Sequence, residues 1–221
     1  MKEDTAMKKA FTMLELVFVI VVVGIMAYVA VSSFSRNPLR EAADQVVSHI
    51  RYTQHLAMMD DKFNVNDATW YQERWQIVFN SDANTYNQWA YTIFSDGNKN
   101  ANPNLTLNEV ALNPLDPAKY LTGGYTGIIF SDGVGATQEM NLGMKYGVST
   151  ITFNAACQFG GSQRISFDYL GRPLKGVPSG FGAIYQRNRM ITAQCQITLT
   201  DVSGNAIIIA IEPETGYTHI L

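Results

Sequence analysis

Residues 11–31, FTMLELVFVIVVVGIMAYVAV, are apolar apart from Thr12 and Glu15. As a helix rising about 1.5 Å per residue, this run spans roughly 31 Å, about one hydrocarbon core. Lys8 and Lys9 precede it, and the positive-inside rule then leaves the N-terminus in the cytoplasm and the bulk of the chain outside. A chain of 221 residues carrying such a run has room for one anchor and one globular domain of ordinary size. A composition 47% hydrophobic and 16% charged suits a folded domain and excludes wholesale disorder.

Glu15 is the anomaly in this run. A secretory signal would explain the segment, with Ala30-Val31-Ser32 as a small-residue cleavage site, but its apolar region should carry no carboxylate. A plain single-pass anchor meets the same objection, since a carboxylate at a helix centre costs about 2.5–3.5 kcal/mol on insertion scales and less near the edge. A third reading gives the charge a role. A cut between Ala10 and Phe11 creates an α-ammonium about one turn from Glu15, or beside the Glu15 of a neighbouring subunit. Each charge then offsets the cost of burying the other, and a misplaced subunit leaves both uncompensated.

The run K-K-A-F-T-M-L-E-L at residues 8–16, followed by about twenty apolar residues, resembles the class III leader of type IV pilins and type II secretion pseudopilins. The resemblance implies that a prepilin peptidase cuts between Ala10 and Phe11, N-methylates Phe11, and leaves Glu15 as the fifth mature residue and the assembly charge. Ala10 stands where the family usually has glycine. Further partners implied are other pseudopilins or pilins and an inner-membrane platform protein driven by a cytoplasmic ATPase.

Beyond the run, Leu39, Ala42, Ala43, Val46, Val47, Ile50 and Ala57 recur at helical spacing, with Arg40, Glu41, Asp44, Gln45 and Arg51 on other faces. Asn37-Pro38 predicts a kink in one helix of about 50 residues that ends near Asp60-Asp61. Downstream the period falls to two. Strands are expected at Trp75–Phe79 and Tyr86–Phe94 as a hairpin. Further strands are expected at Gly127–Phe130, Ser149–Phe153, Arg164–Tyr169, Ile191–Thr200, Ala206–Ile211 and Tyr217–Ile220, with tight turn signals between them. The fold class is therefore α+β: a long N-terminal helix, half in the membrane and half amphipathic, packed on an antiparallel β-sheet domain, as the pilin resemblance also implies. The boundaries are a leader at 1–10, a transmembrane and filament-core helix at 11–34, an amphipathic continuation at 35–61 and a β-rich domain at 62–221. In the second half, the stretch from Ile165 to Pro173 and the later stretch from Ile211 to Gly216 loosely resemble minor pseudopilin H and the FimT-like minor pilins. So does the stretch from Phe94 to Asn100 followed by Glu109-Val110.

No catalytic set emerges: His49, His55 and His219 are dispersed, and nucleophile-elbow, zinc-protease and phosphate-loop motifs are missing. Asp96-Gly-Asn98-Lys-Asn100-Ala-Asn102 has the alternating oxygens of a calcium loop, with Glu109 beyond, although Ala101 replaces the required glycine. A polar Asn/Gly turn is the simpler reading, so no cofactor is expected and calcium is the one candidate. Between Arg164 and Met190 five cations, Arg164, Arg172, Lys175, Arg187 and Arg189, face one anion, Asp168, inside a chain of net charge −3. FimT-like pilins of DNA-uptake systems are similar in this, so Lys175, Arg187 and Arg189 are nucleic-acid candidates. A solvated basic face is the plainer account, and regularly spaced aromatic stacking partners are missing. The topology places Cys157 and Cys195 outside the cytoplasm, where thiols oxidise, so a disulfide is expected, with a buried free pair as the alternative.

The function expected is non-enzymatic: a minor pseudopilin or minor pilin in a filament for secretion or DNA uptake, held in the inner membrane with its globular domain in the periplasm. The rival is a membrane-tethered or secreted β-domain that binds a ligand or hydrolyses a glycan.

Overall fold

The computed structural model describes residues 12–33, 37–104, 108–125 and 135–221. The leader, with Ala10 and Phe11, and the strand expected at Gly127–Phe130 lie outside the described residues. The chain divides into two units, Met1–Asn37 and Pro38–Leu221.

In the first unit, helix α1 runs Met13–Ser33. Its start is encoded locally: Thr12 closes the first turn by accepting from the Glu15 amide, at 3.2 Å through its hydroxyl and 3.1 Å through its carbonyl. Thr12-Met-Leu-Glu15 is the S/T-x-x-E pattern of a helix N-terminus, and a first-turn carboxylate also complements the helix dipole.

Two expectations are corrected. A continuous N-terminal helix does not form. A second helix, α2, spans Pro38–Met59. Proline at a first helical position loses no needed donor, but it pushes the residue before it, Asn37, out of helical geometry, so Pro38 starts a helix where a kink was expected. The transmembrane anchor, and with it the inner-membrane placement, is also overturned. The side chains of α1 are described over residues 13–28. Among the described residues no helix is long and apolar enough to cross a membrane.

The second unit is built around α2. Its buried face carries Leu39, Ala42, Ala43, Val46, Val47, Ile50, Thr53 and Ala57. Thr53 tolerates this burial because its hydroxyl donates to the His49 carbonyl one turn back. Ten strands follow: β1 Trp75–Asn80, β2 Ala90–Ser95, β3 Leu112–Asn113, β4 Asp116–Tyr120, β5 Val148–Phe153, β6 Arg164–Phe167, β7 Pro173–Lys175, β8 Cys195–Asp201, β9 Ala206–Ile211 and β10 Thr218–Ile220. A short helix, α3, spans Leu142–Tyr146. The strands form two four-stranded sheets, ordered β2-β1-β6-β7 and β10-β9-β8-β5, plus the hairpin β3-β4, and every ladder is antiparallel. The chain changes sheet between β5 and β6 and returns between β7 and β8. Helix α2 packs on both sheets, touching β1 and β6 of one and β8, β9 and β10 of the other.

The burial patterns follow this layering. Along β8, Cys195, Ile197 and Leu199 point inward and alternate with half-buried Gln196, Thr198 and Thr200. Strand β2 is buried throughout, because a second apolar cluster of Val78, Phe94, Val110 and Ala136 covers the face turned from α2. The expected strand at Tyr86–Phe94 begins only at Ala90. Tyr86 and Asn87 take left-handed backbone angles, φ 57° and 56°, after a one-turn helix capped by Asp82, and no ladder survives there.

Polar side chains tie α2 to the sheets. Gln54 donates to the carbonyls of Gly171 and Thr215, both at 2.7 Å, and so bridges the β6–β7 turn of one sheet to the β9–β10 turn of the other. Gly216 sits in this clamp with φ +66°. A Cβ there would lie 2.7 Å from the Gly171 carbonyl oxygen and 2.6 Å from Gln54 Nε2. Cys157 and Cys195 form a disulfide between fully buried residues with Cα atoms 5.1 Å apart. It staples the end of the β5–β8 ladder, where the Asn154 amide and side chain also bond to the carbonyls of Gln196 and Gln194.

Candidate functional site

The residues singled out by sequence fall in three places, and the structure gives each a different standing. Glu15 lies in the first turn of α1 with its side chain exposed. From Leu14 to Tyr28 the large apolar side chains are exposed on every face of the helix, including Leu14 at 82%, Phe18 at 70%, Met26 at 68% and Tyr28 at 77%. Sequence reasoning passed over the local role of Glu15. The T-x-x-E signal was legible, and it accounts for a carboxylate at the start of an apolar helix without any partner.

The proposed calcium loop closes on itself. Asp96 is fully buried, with Oδ1 accepting from the Asn100 amide and Oδ2 from the Ala101 amide. The side-chain oxygens of Asn98 and Asn100 accept from the amides of Asn100 and Asn102 in turn. Glu109 reaches across the loop, where its Oε1 accepts from the Asn98 amide at 2.9 Å. The side-chain oxygens of Asp96, Asn98 and Asn100 thus accept from backbone amides, and among the described residues no group of three or more His, Cys, Asp or Glu is placed to hold a metal. Glu109 is 4% exposed and its other oxygen has no partner. Burial, and secondarily the Asp96 carboxylate, push the Glu109 pKa up, while burial does the same to Asp96 against the pull of its amide donors and Arg164.

The basic stretch is dispersed. Arg164 is buried in β6, donating to Gln76 Oε1 and lying over the Phe94 ring. Arg172 pairs with Asp168 at 2.7 Å, Lys175 donates to the Ala156 carbonyl, and Arg189 lies 3.5 Å above the Phe159 ring. Among the described residues, Arg187 is the one of these five cations with no partner. Four of the five cations thus engage partners within the fold.

The histidines also separate. His49 is half-buried against Tyr91, whose hydroxyl lies 2.6 Å from Nδ1 and 2.8 Å from Gln45 Nε2. With Gln45 donating to the hydroxyl, the tyrosine proton is available to His49 Nδ1. Burial lowers its pKa to about 4. Gln45 continues the network to the Glu139 carbonyl and the Tyr146 hydroxyl. This chain is a polar brace between α2, β2 and α3.

One feature had no sequence signal. Phe63, Trp70, Tyr169, Ile184 and Tyr185 gather with Asp61 around a groove of about 330 Å³. These residues are spread over more than 120 positions of the chain. No family model, curated protein or solved structure matches this chain.

Proposed function

We propose that the chain is a non-enzymatic structural subunit that assembles into a pseudopilin-like filament, with α1 buried among the α1 helices of neighbouring subunits. The observation that carries this reading is the apolar surface of α1, exposed on all sides in the single chain. A helix that is hydrophobic all round is stable when buried, and an exposed patch of this extent marks an interaction surface. The leader-like run at residues 8–16 supports processing by a prepilin peptidase to an N-methylated Phe11. Its new ammonium and Glu15 then supply the charge pair that sets the register between subunits.

The test separates the charge of Glu15 from its place at the helix start. Glu15→Gln keeps the S/T-x-x-E/Q pattern and removes the charge. Mass spectrometry is expected to find Phe11 as the mature N-terminus in both wild type and variant. Cysteine cross-links between neighbouring α1 helices are expected to fall at least tenfold in the variant. Cross-linking equal to wild type, or a mature chain that starts elsewhere, overturns the reading.

A further inference from the structure

On β6, Ile165 and Phe167 join the core under α2, so Arg164 points from the opposite face of the β2-β1-β6-β7 sheet. There it meets Asp96 and Tyr125. We propose that Asp96 and Glu109 form a proton-operated catch on loop 96–104: with one proton bound the pair holds the loop down, and loss of that proton lets the loop lift. The catch lies within the second unit and is independent of the assembly reading.

The buried charges do not balance. Asp96 is fully buried, Glu109 is 4% exposed and Arg164 5%. Two carboxylates thus share one guanidinium, which also donates to Gln76 Oε1 at 2.9 Å and lies 5.3 Å from the centroid of the Phe94 ring. The loop's own cation, Lys99, is engaged elsewhere, by Asp67 and by Glu73 at 3.2 Å. Burial pushes the Tyr125 hydroxyl up, so it adds no charge. With both carboxylates ionised, the trio carries one uncompensated negative charge, and such a charge is costly to keep out of water.

The two carboxylates are not equivalent. Asp96 Oδ1 accepts from the Asn100 amide at 3.0 Å and Oδ2 from the Ala101 amide at 2.8 Å. Glu109 Oε1 accepts from the Asn98 amide at 2.9 Å, while its buried Oε2 makes no hydrogen bond. Asp96 is therefore the anion that stays and Glu109 the group that takes the proton. Burial first, and then the Asp96 carboxylate, raise the Glu109 pKa against backbone amides led by that of Asn98. A raised folded value means that the catch holds at low pH and is lost as pH rises through that value.

The loop is bent against its own preference. Lys99, Ala101 and Asn108 take left-handed backbone angles, φ 60°, 72° and 55°. Such angles are uncommon outside glycine and persist where surrounding contacts impose them. The amides that Asp96 and Glu109 accept from, those of Asn98, Asn100 and Ala101, belong to this bent stretch. Gly97 leaves room for the contact, since a Cβ there would lie 3.5 Å from Glu109 Oε1. When Glu109 ionises, repulsion within the pair and relaxation of the backbone act in the same direction.

The experiment follows hydrogen exchange of the peptide spanning 96–104 in the full chain, held soluble in a mild detergent, at about pH 5 and about pH 8. Rates are corrected for the intrinsic pH dependence of amide exchange, and the amides of α2 report global opening. Protection of 96–104 relative to α2 is expected to be at least tenfold lower at the higher pH. Glu109→Gln, neutral at both, is expected to abolish the difference and keep the loop protected. Ala101→Gly accepts the left-handed angle without changing any charge, and is expected to raise protection at the higher pH. The same measurement is repeated there with about 1 mM calcium chloride. Equal protection at both pH values, a difference that survives in Glu109→Gln, lower protection in Ala101→Gly, or calcium that restores protection as a proton does each overturns the proposal.

Discussion

At the scale of single residues, position in the packed unit outweighs side-chain type. His49, Gln45 and Tyr91 read as an amphipathic helix face and a strand residue, yet together they form a part-buried hydrogen-bonded brace. The brace carries a pH dependence. The folded ring stays neutral down to about pH 4, while the unfolded ring takes a proton below about 6.5. Stability from His49 is therefore fully present above pH 6.5 and drains away as pH falls toward 4, by about 3 kcal/mol at most. Chemical shifts of the His49 ring are expected to titrate near pH 4, and His49→Gln is expected to flatten the fall in Tm between pH 6.5 and 4. A ring titrating near 6.5 would contradict the brace. Glu109 works in the opposite direction: its raised pKa favours the folded state as pH falls, which offsets part of the His49 loss. Gly216 was legible only as a turn residue. Its requirement for glycine comes from Gln54 and Gly171, which are distant in sequence.

At the scale of elements, periodicity read the helices and strands well and their ends poorly. The stripe from Leu39 to Ala57 is the face α2 buries, because a 3.6-residue period is a local property. The misread ends have local causes as well: Pro38 starts a helix where a kink was expected, and left-handed Tyr86 and Asn87 delay β2 to Ala90. Strand β7 and the β3-β4 hairpin were missed because they are short and proline-bearing, with Pro173 and Pro117 in positions that periodicity discounts. The disulfide belongs to this scale because it joins the start of β8 to the end of β5 across a sequence separation of 38. Replacing Cys157 and Cys195 together by alanine is expected to cost about 2–4 kcal/mol, or roughly 5–15 °C in Tm. Differential scanning calorimetry of oxidised, reduced and Cys157→Ala/Cys195→Ala protein measures it. A double variant that melts with the oxidised protein would leave the staple without a role in stability.

At the scale of the whole molecule, the division at Asn37 separates two physical problems. The second unit has its own core, drawn from α2 and both sheets. The first has an apolar surface that is exposed among the described residues. A fragment beginning at Pro38 is expected to melt cooperatively as a monomer at any concentration. The chain that retains α1 is expected to sediment as concentration-dependent assemblies. Analytical ultracentrifugation of the two distinguishes them, and a fragment that aggregates while the longer chain stays monomeric would reverse the assignment of the association surface.

The sequence by itself determined what depends on neighbours a few residues apart: the apolar run, the start of α1 at Thr12, the α2 stripe, most strand cores and the turns between them. The tertiary structure alone decided what depends on closure of long loops. It placed β5 and β6, adjacent in the chain, in different sheets. It turned the oxygens of Asp96, Asn98 and Asn100 toward backbone amides. It used Arg172, Lys175 and Arg189 to fasten turns and cover rings. It brought Phe63, Trp70, Tyr169 and Tyr185 to one groove. The physical reason is the same in each case. Side-chain period reports which face of an element is apolar, but which elements meet is set by the packing of all of them at once.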